Sequence, residues 1–236
     1  MTTTSEQDNN AVSEIHHADT QRDSAGNEFT PSAHFSVTHE GVREVGLIFI
    51  GASLVAGVGD PKGQGWVTRV VGRTQSPEIA LTHYNLGVRG NTSADVLERW
   101  RRECPPRWQG RQEKRLVISV GTNDILSGVT LARHRLNLAN ILDDATSAGV
   151  GSFVVSPPPS DDEELNAKLE VLVEAQADVC ARRGVPFVDC FRPLLGHEQW
   201  QSDLASARIP HHPGQAGYGL IAWLVLHNGW NDWLEI

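Results

Sequence analysis

Short apolar runs alternate with helical stretches from residue 44 to the end of the chain, and this alternation restricts the fold more than any other feature. EVGLIFI (44–50) is apolar almost throughout, as a strand covered on both faces requires. EIALTHYNL (78–86), RLVISV (115–120), GSFVVS (151–156) and VPFVDC (185–190) read as four further strands. Helical patterns fall between them, over about 64–74, 91–102, 129–147 and from 160 onward, with a last helix from Pro213 to about His227. Thr92 with Asp95 marks one helix start, and Ser160 with Glu163 reads as a capping box for another. Asp161 and Asp162 suit the positive end of that second helix, and Arg182 and Arg183 fill its last turn before Gly184. Strands alternating with helices imply a parallel sheet between helical layers: a five-stranded, three-layer α/β/α sandwich. In such a sheet, sites form beyond the carboxyl ends of the strands, at the switch in strand order.

The first 43 residues differ from the rest. They are rich in Thr, Ser, Asn, Asp and Gln, and across 1–44 eight acids stand against Arg22 and Arg43. A stretch this polar buries too little apolar surface to offset its ordering entropy, so 1–43 is expected to be a disordered acidic tail ahead of a folded domain at 44–236. His16, His17, His34 and His39 lie in that tail and read as solvated side chains rather than metal ligands. The net charge of −9 argues against a nucleic-acid partner, which calls for a basic face. No run approaches the roughly 18 apolar residues of a membrane span, and no secretory signal pattern opens the chain. Cys104, Cys180 and Cys190 fit neither a disulfide framework nor a zinc site. A reducing cytoplasm is the expected compartment. The oligomeric state is not legible.

Four segments place chemistry just after strands or ahead of the last helix. GASL (51–54) delivers Ser53 into a bend rich in glycine, GVGDPKGQGW (57–66). NLGVRGNTS (85–93) sets Gly90 before a helix start, GTND (121–124) follows the third strand, and HPGQAGY (212–218) sets His212 against Pro213. Singly, each has an ordinary explanation as a turn or a cap.

Together and in this order they resemble the SGNH hydrolase family, also called GDSL-type esterases and lipases, over about residues 45–235. The resemblance implies a flavodoxin-like sheet and a metal-free, cofactor-free hydrolase acting on a small-molecule ester or thioester. Ser53 would be the nucleophile and His212 its general base. The Ser53 amide, the Gly90 amide and the Asn123 side chain would be the oxyanion donors. The residue types suit these roles: a serine hydroxyl attacks once an imidazole accepts its proton, and a developing oxyanion needs fixed donors.

Two positions depart from the family pattern. Ala52 stands where aspartate is usual, and Ile209 occupies the place of the triad acid three residues before the histidine. Three explanations stay open for His212: a backbone carbonyl near Ile209 orients it, Asp203 reaches it, or the chain is a weakened or non-catalytic relative that keeps the pocket. His211 is the less suited of the two histidines, because the Pro213 and Gly217-Tyr218 spacing points to His212. A rival class, a phosphate or flavin binder using Gly57, Gly59, Gly63 and Gly65, lacks the GxxxxGK[ST] pattern. Trp66, Trp100 and Trp108 read as packing residues rather than the lining of a substrate groove.

Overall fold

In a computed structural model, the structure describes residues 41–236 together with two short strands, Gln21–Arg22 and Glu28–Phe29. The chain divides into two compact units, Met1–Val37 and Thr38–Ile236. In the first, Gln21–Arg22 pairs antiparallel with Glu28–Phe29. The expectation of a disordered tail over 1–43, and that of solvated histidines within it, otherwise lies outside the described residues, except that Arg43 already belongs to the first strand of the second unit.

That unit is built on five parallel strands: β1 (Arg43–Gly51), β2 (Ile79–Gly87), β3 (Glu113–Ser119), β4 (Gly151–Val155) and β5 (Phe187–Val188). Their order across the sheet is β2-β1-β3-β4-β5, with every neighbouring pair parallel. Strand order reverses between β1 and β3, and there a crevice opens at the carboxyl edge.

The pleat of β1 divides the core. Val45, Leu47 and Phe49 point to one face, where they meet Trp66 of α2 (Gly65–Val71), Tyr218 of α8 (Gln215–His227) and Trp230 of α9 (Trp230–Leu234). Ile48 and Ile50 point to the other, against Val96 and Trp100 of α3 (Ser93–Glu103), Leu138 of α5 (Leu131–Ser147) and Val179 of α6 (Glu163–Ala181). All four β1 residues from Leu47 to Ile50 are fully buried, which is why this strand has no polar side of its own. Phe49 lies edge-on to Trp66, 5.5 Å between centroids, and Phe153 lies edge-on to Trp230 at 5.4 Å. Trp66, Trp100 and Trp108 are buried, in line with a packing role.

Several element ends differ from expectation. The capping box at Thr92 and Asp95 is present on α3. On α6 the cap is Asp162, whose carboxylate accepts from Leu165 N at 3.0 Å, and not the expected box of Ser160 with Glu163. Ser160 is engaged two residues upstream, where its hydroxyl takes Asp162 N and Asn166 brackets its backbone N–H and C=O. The last strand is two residues rather than six. Val185 N still closes the turn after α6 on Cys180 O, Pro186 has no N–H to give, and Asp189 Oδ1 gathers Phe191 N and Arg192 N to turn the chain away. The final long helix starts at Gln215, with Gly214 as its cap, two residues later than Pro213. Four helices were not foreseen: α7 (Glu198–Ala205), α9, and the short α1 (Ser53–Ala56) and α4 (Thr122–Leu126), of which the last two carry candidate site residues.

Candidate active site

Ser53 opens α1 directly after β1. The close approach of this turn demands glycine: a Cβ at Gly51 would sit 2.0 Å from Ser119 O, and one at Gly87 would sit 2.2 Å from Ala56 N. Asn85 fastens the turn from β2, its amide donating to Val55 O at 2.7 Å. As the first residue of a helix, Ser53 keeps an N–H that no intrahelical carbonyl takes.

The bend after α1 joins Ser53 to His212. The Asp60 carboxylate accepts from Lys62 N at 3.0 Å, Gly65 N at 2.9 Å and Arg69 Nη1 at 2.5 Å. Burial alone would raise the pKa of Asp60, but Arg69 and these N–H groups outweigh it and hold the carboxyl below its ordinary range. Gly57 N and Gly63 N donate to Leu54 O and Asp60 O, so with Gly65 N three of the four glycine amides are already taken, where a phosphate cradle needs them free. Val58 O accepts the Tyr218 hydroxyl at 2.6 Å, and a Cβ at Gly59 would come within 3.1 Å of His212 Cβ. Ser53 and His212 are 159 positions apart in the chain, and this bend is the packing that brings them into register.

His212 Nε2 lies 2.8 Å from Ser53 Oγ. Its Nδ1 lies 2.7 Å from Pro210 O. A carbonyl only accepts, so Nδ1 carries the proton, and Nε2 is left as the acceptor that faces the hydroxyl. The carbonyl near Ile209 that Nδ1 meets is that of Pro210. Asp203 is occupied elsewhere: its Oδ2 accepts from Gly217 N at 2.8 Å, capping α8. His211 lines the same cavity as Ser53 but pairs with Asp161, its Nδ1 2.6 Å from Oδ1, at φ +60°. The pKa of His212 is lowered from 6.5, first by burial and further by the positive charge of Arg89 and by His211, with the Pro210 carbonyl opposing.

Ser53, Asn123 and His212 share the lining of one cavity of about 60 Å³, whose walls include Ala52, Leu54, Leu126 and Pro157. Asn123, on α4, donates one amide hydrogen to Asn91 O at 3.0 Å, which leaves the second for another acceptor. Gly90 is not part of that lining. It holds φ +80° beside Asn91, with no atom within 4 Å of where its Cβ would sit. Arg99, buried in α3, ties the surrounding segments together: Nη2 donates to Gly51 O and Leu86 O, and Nε to Asn91 Oδ1. A larger groove, about 910 Å³, lies near the start of β3 among Trp100, Pro105, Trp108, Arg111 and Lys114, and contains none of the candidate residues.

Other chemistry is less well provided. All three cysteines are buried, and burial pushes the Cys104 and Cys180 thiols up to about 12, far from a reactive thiolate. Among the described residues, no group of three or more His, Cys, Asp or Glu is placed to hold a metal ion, and no helix is long and apolar enough to cross a membrane. Sequence reasoning missed Arg99, the Asp161–His211 pair and the buried contacts of Asp124. None carries a motif of its own.

The sheet order and the crevice between β1 and β3 define an α/β/α sandwich of the SGNH hydrolase fold, and comparison with solved structures bears this out. An acetylxylan esterase from Geobacillus stearothermophilus superposes with a TM-score of 0.67 at 20% identity, over 83% of this chain and 98% of its own. Catalytic mutants of that esterase at a serine, an aspartate and a histidine are also among the similar structures. A lipase/acylhydrolase from Enterococcus faecalis gives 0.64 at 23% identity, over 81% and 97% of the two chains. An alpha/beta hydrolase enzyme from the metagenome of Lake Arreo, Spain, gives 0.62 at 22%, over 80% and 97%. No curated protein sequence matches. The model of the GDSL-like Lipase/Acylhydrolase family matches residues 49–220, and the chain belongs to that family.

Proposed function

We propose that the chain is a carboxylic ester hydrolase that works through an acyl-enzyme on Ser53. The observation that carries this reading is the pair of contacts on one imidazole: Nε2 at 2.8 Å from Ser53 Oγ, Nδ1 on the Pro210 carbonyl. As Ser53 Oγ attacks the ester carbonyl carbon, Nε2 takes its proton. The tetrahedral oxyanion is met by the Ser53 N–H, the Gly90 N–H and the free hydrogen of Asn123 Nδ2. Collapse returns the proton from Nε2 to the departing alcohol, and water repeats the sequence to free the acid.

In serine proteases the triad acid holds the imidazole in the correct tautomer and stabilises the imidazolium, and its loss costs about 10⁴ in turnover. Here the carbonyl of Pro210 secures the tautomer without a charge. What is missing is only the stabilisation a carboxylate gives to the imidazolium. Ile209 favours a non-catalytic binding role, and the carbonyl contact supports the catalytic reading against it.

The cavity of about 60 Å³ suits a short acyl group, and the acetylxylan esterase among the structural neighbours points the same way. Short-chain esters, acetyl first, are the substrate class we assign. A fluorophosphonate probe tests the mechanism: stoichiometric capture is expected in the full chain, slowed in His212→Ala and absent in Ser53→Ala. Unlabelled wild-type protein would leave only the binding role.

A further inference from the structure

The residue after Asn123 is a buried carboxylate with no place in the chemistry above. Asp124 is fully buried, as are Ser93 and His134. Its Oδ2 accepts Ser93 N at 3.0 Å; its Oδ1 accepts the Ser93 hydroxyl and His134 Nδ1, the latter at 3.0 Å. The nitrogens around it are also paired, while Gln176 Oε1 has no hydrogen-bond partner. Asn137 Nδ2 donates to Ser93 Oγ at 3.0 Å. Gln176 Nε2 lies 2.8 Å from Val120 O and 3.0 Å from His134 Nε2. An amide nitrogen only donates, so His134 Nε2 accepts and His134 Nδ1 is the N–H that faces Asp124. Helices α3 and α5 therefore meet on one carboxylate of α4, and α6 is joined to it through His134.

The neighbouring contact gives this cluster its meaning. Asn123 donates to Asn91 O, and Asp124 accepts from Ser93. Segments 91–93 and 123–124 are thus joined by two adjacent rungs, one at the rim of the cavity and one beneath it. The outer rung aims the Asn123 amide, and Gly90 is the residue before Asn91. We propose that Asp124 is a positioning residue for the oxyanion site: the buried rung sets the spacing of the two segments that carry Gly90 and Asn123. Carboxylate chemistry is required because all three partners are donors. An asparagine of the same shape offers one accepting oxygen, and an NH₂ in place of Oδ2 would face the Ser93 N–H, which has only a hydrogen to give.

This inference rests on the ester-hydrolase reading, and a double-mutant cycle on p-nitrophenyl acetate hydrolysis separates the two. In otherwise wild-type protein, Asp124→Asn is expected to lower kcat about tenfold or more with KM nearly unchanged, as loss of a transition-state donor's aim should. In an Asn123→Ala background the same substitution should cost less than about twofold, because residues in one network are not additive. Ser93→Ala, which keeps the backbone N–H to Asp124, is the milder companion should Asp124→Asn fail to fold, and it should show the same dependence on Asn123. Equal losses in both backgrounds, or no loss in either variant, overturn the positioning role while leaving the hydrolase reading intact. Wild-type protein with no Ser53-dependent turnover overturns both.

Discussion

His212 is oriented by a backbone atom two residues behind it: Nδ1–H donates to the carbonyl oxygen of Pro210 across 2.7 Å. A side-chain acid in that place would add a full charge; the carbonyl adds direction and only a dipole's support for the protonated ring. Separation of orientation from charge governs what each substitution near His212 should do.

Ile209→Asp returns a carboxylate to the position where the family carries one. Because the tautomer is already set, the gain in kcat should stay below about tenfold, the share left to imidazolium stabilisation. Steady-state hydrolysis of p-nitrophenyl acetate measures it. A gain of about 10³ or more would mean that the Pro210 contact orients nothing.

The pH profile follows from the lowered pKa of His212. The working species is the unprotonated imidazole, and burial disfavours its charged form. Protonation therefore sets in only below the ordinary value of 6.5, and activity is retained at 6.5 and lost as pH falls through the lowered pKa. The acid limb of kcat/KM should have its midpoint below 6.5, and Arg89→Ala should move that midpoint upward by removing a positive neighbour. A midpoint above 6.5 in the unsubstituted chain would contradict this account.

Asp203→Ala distinguishes a cap from an acid. Its carboxylate serves Gly217 N in the first turn of α8, so the loss should appear as stability, about 1–2 kcal/mol and a lower Tm, with kcat within a few-fold. A 10⁴-fold fall in kcat at unchanged Tm would make Asp203 the missing triad member.

Acyl length probes the small cavity. With p-nitrophenyl esters, kcat/KM should fall from acetate through butyrate to octanoate, because about 60 Å³ among Ala52, Leu126 and Pro157 has no room for a long chain. A rise toward octanoate would show that the cavity opens.

How much of this was legible in the chain depends on where each signal is stored. The sheet was readable because strands covered on both faces must be apolar without a break, as 45–50 and 116–118 are. The last strand was overread because Val185 and Asp189 look like strand residues until their hydrogen bonds to the α6 terminus and the following turn are seen. Helix α7 escaped notice because only Trp200 and Leu204 face inward over its eight residues, too few to reveal a period. Ser53, Asn123 and His212, which line one cavity, were legible as candidates because their side-chain chemistry sits in motifs. The Pro210 carbonyl belongs to every residue type alike, and the Asp124 cluster is assembled from residues 31 and 10 positions apart, so neither leaves a pattern in the sequence.

The most direct test of the account is the turnover of p-nitrophenyl acetate by the full chain and by Ser53→Ala. In the proposed mechanism the alcohol at position 53, in contact with His212, is the attacking group, so its removal should lower kcat by roughly 10³-fold or more. Equal hydrolysis by the two proteins would show that the reaction, if any, happens elsewhere.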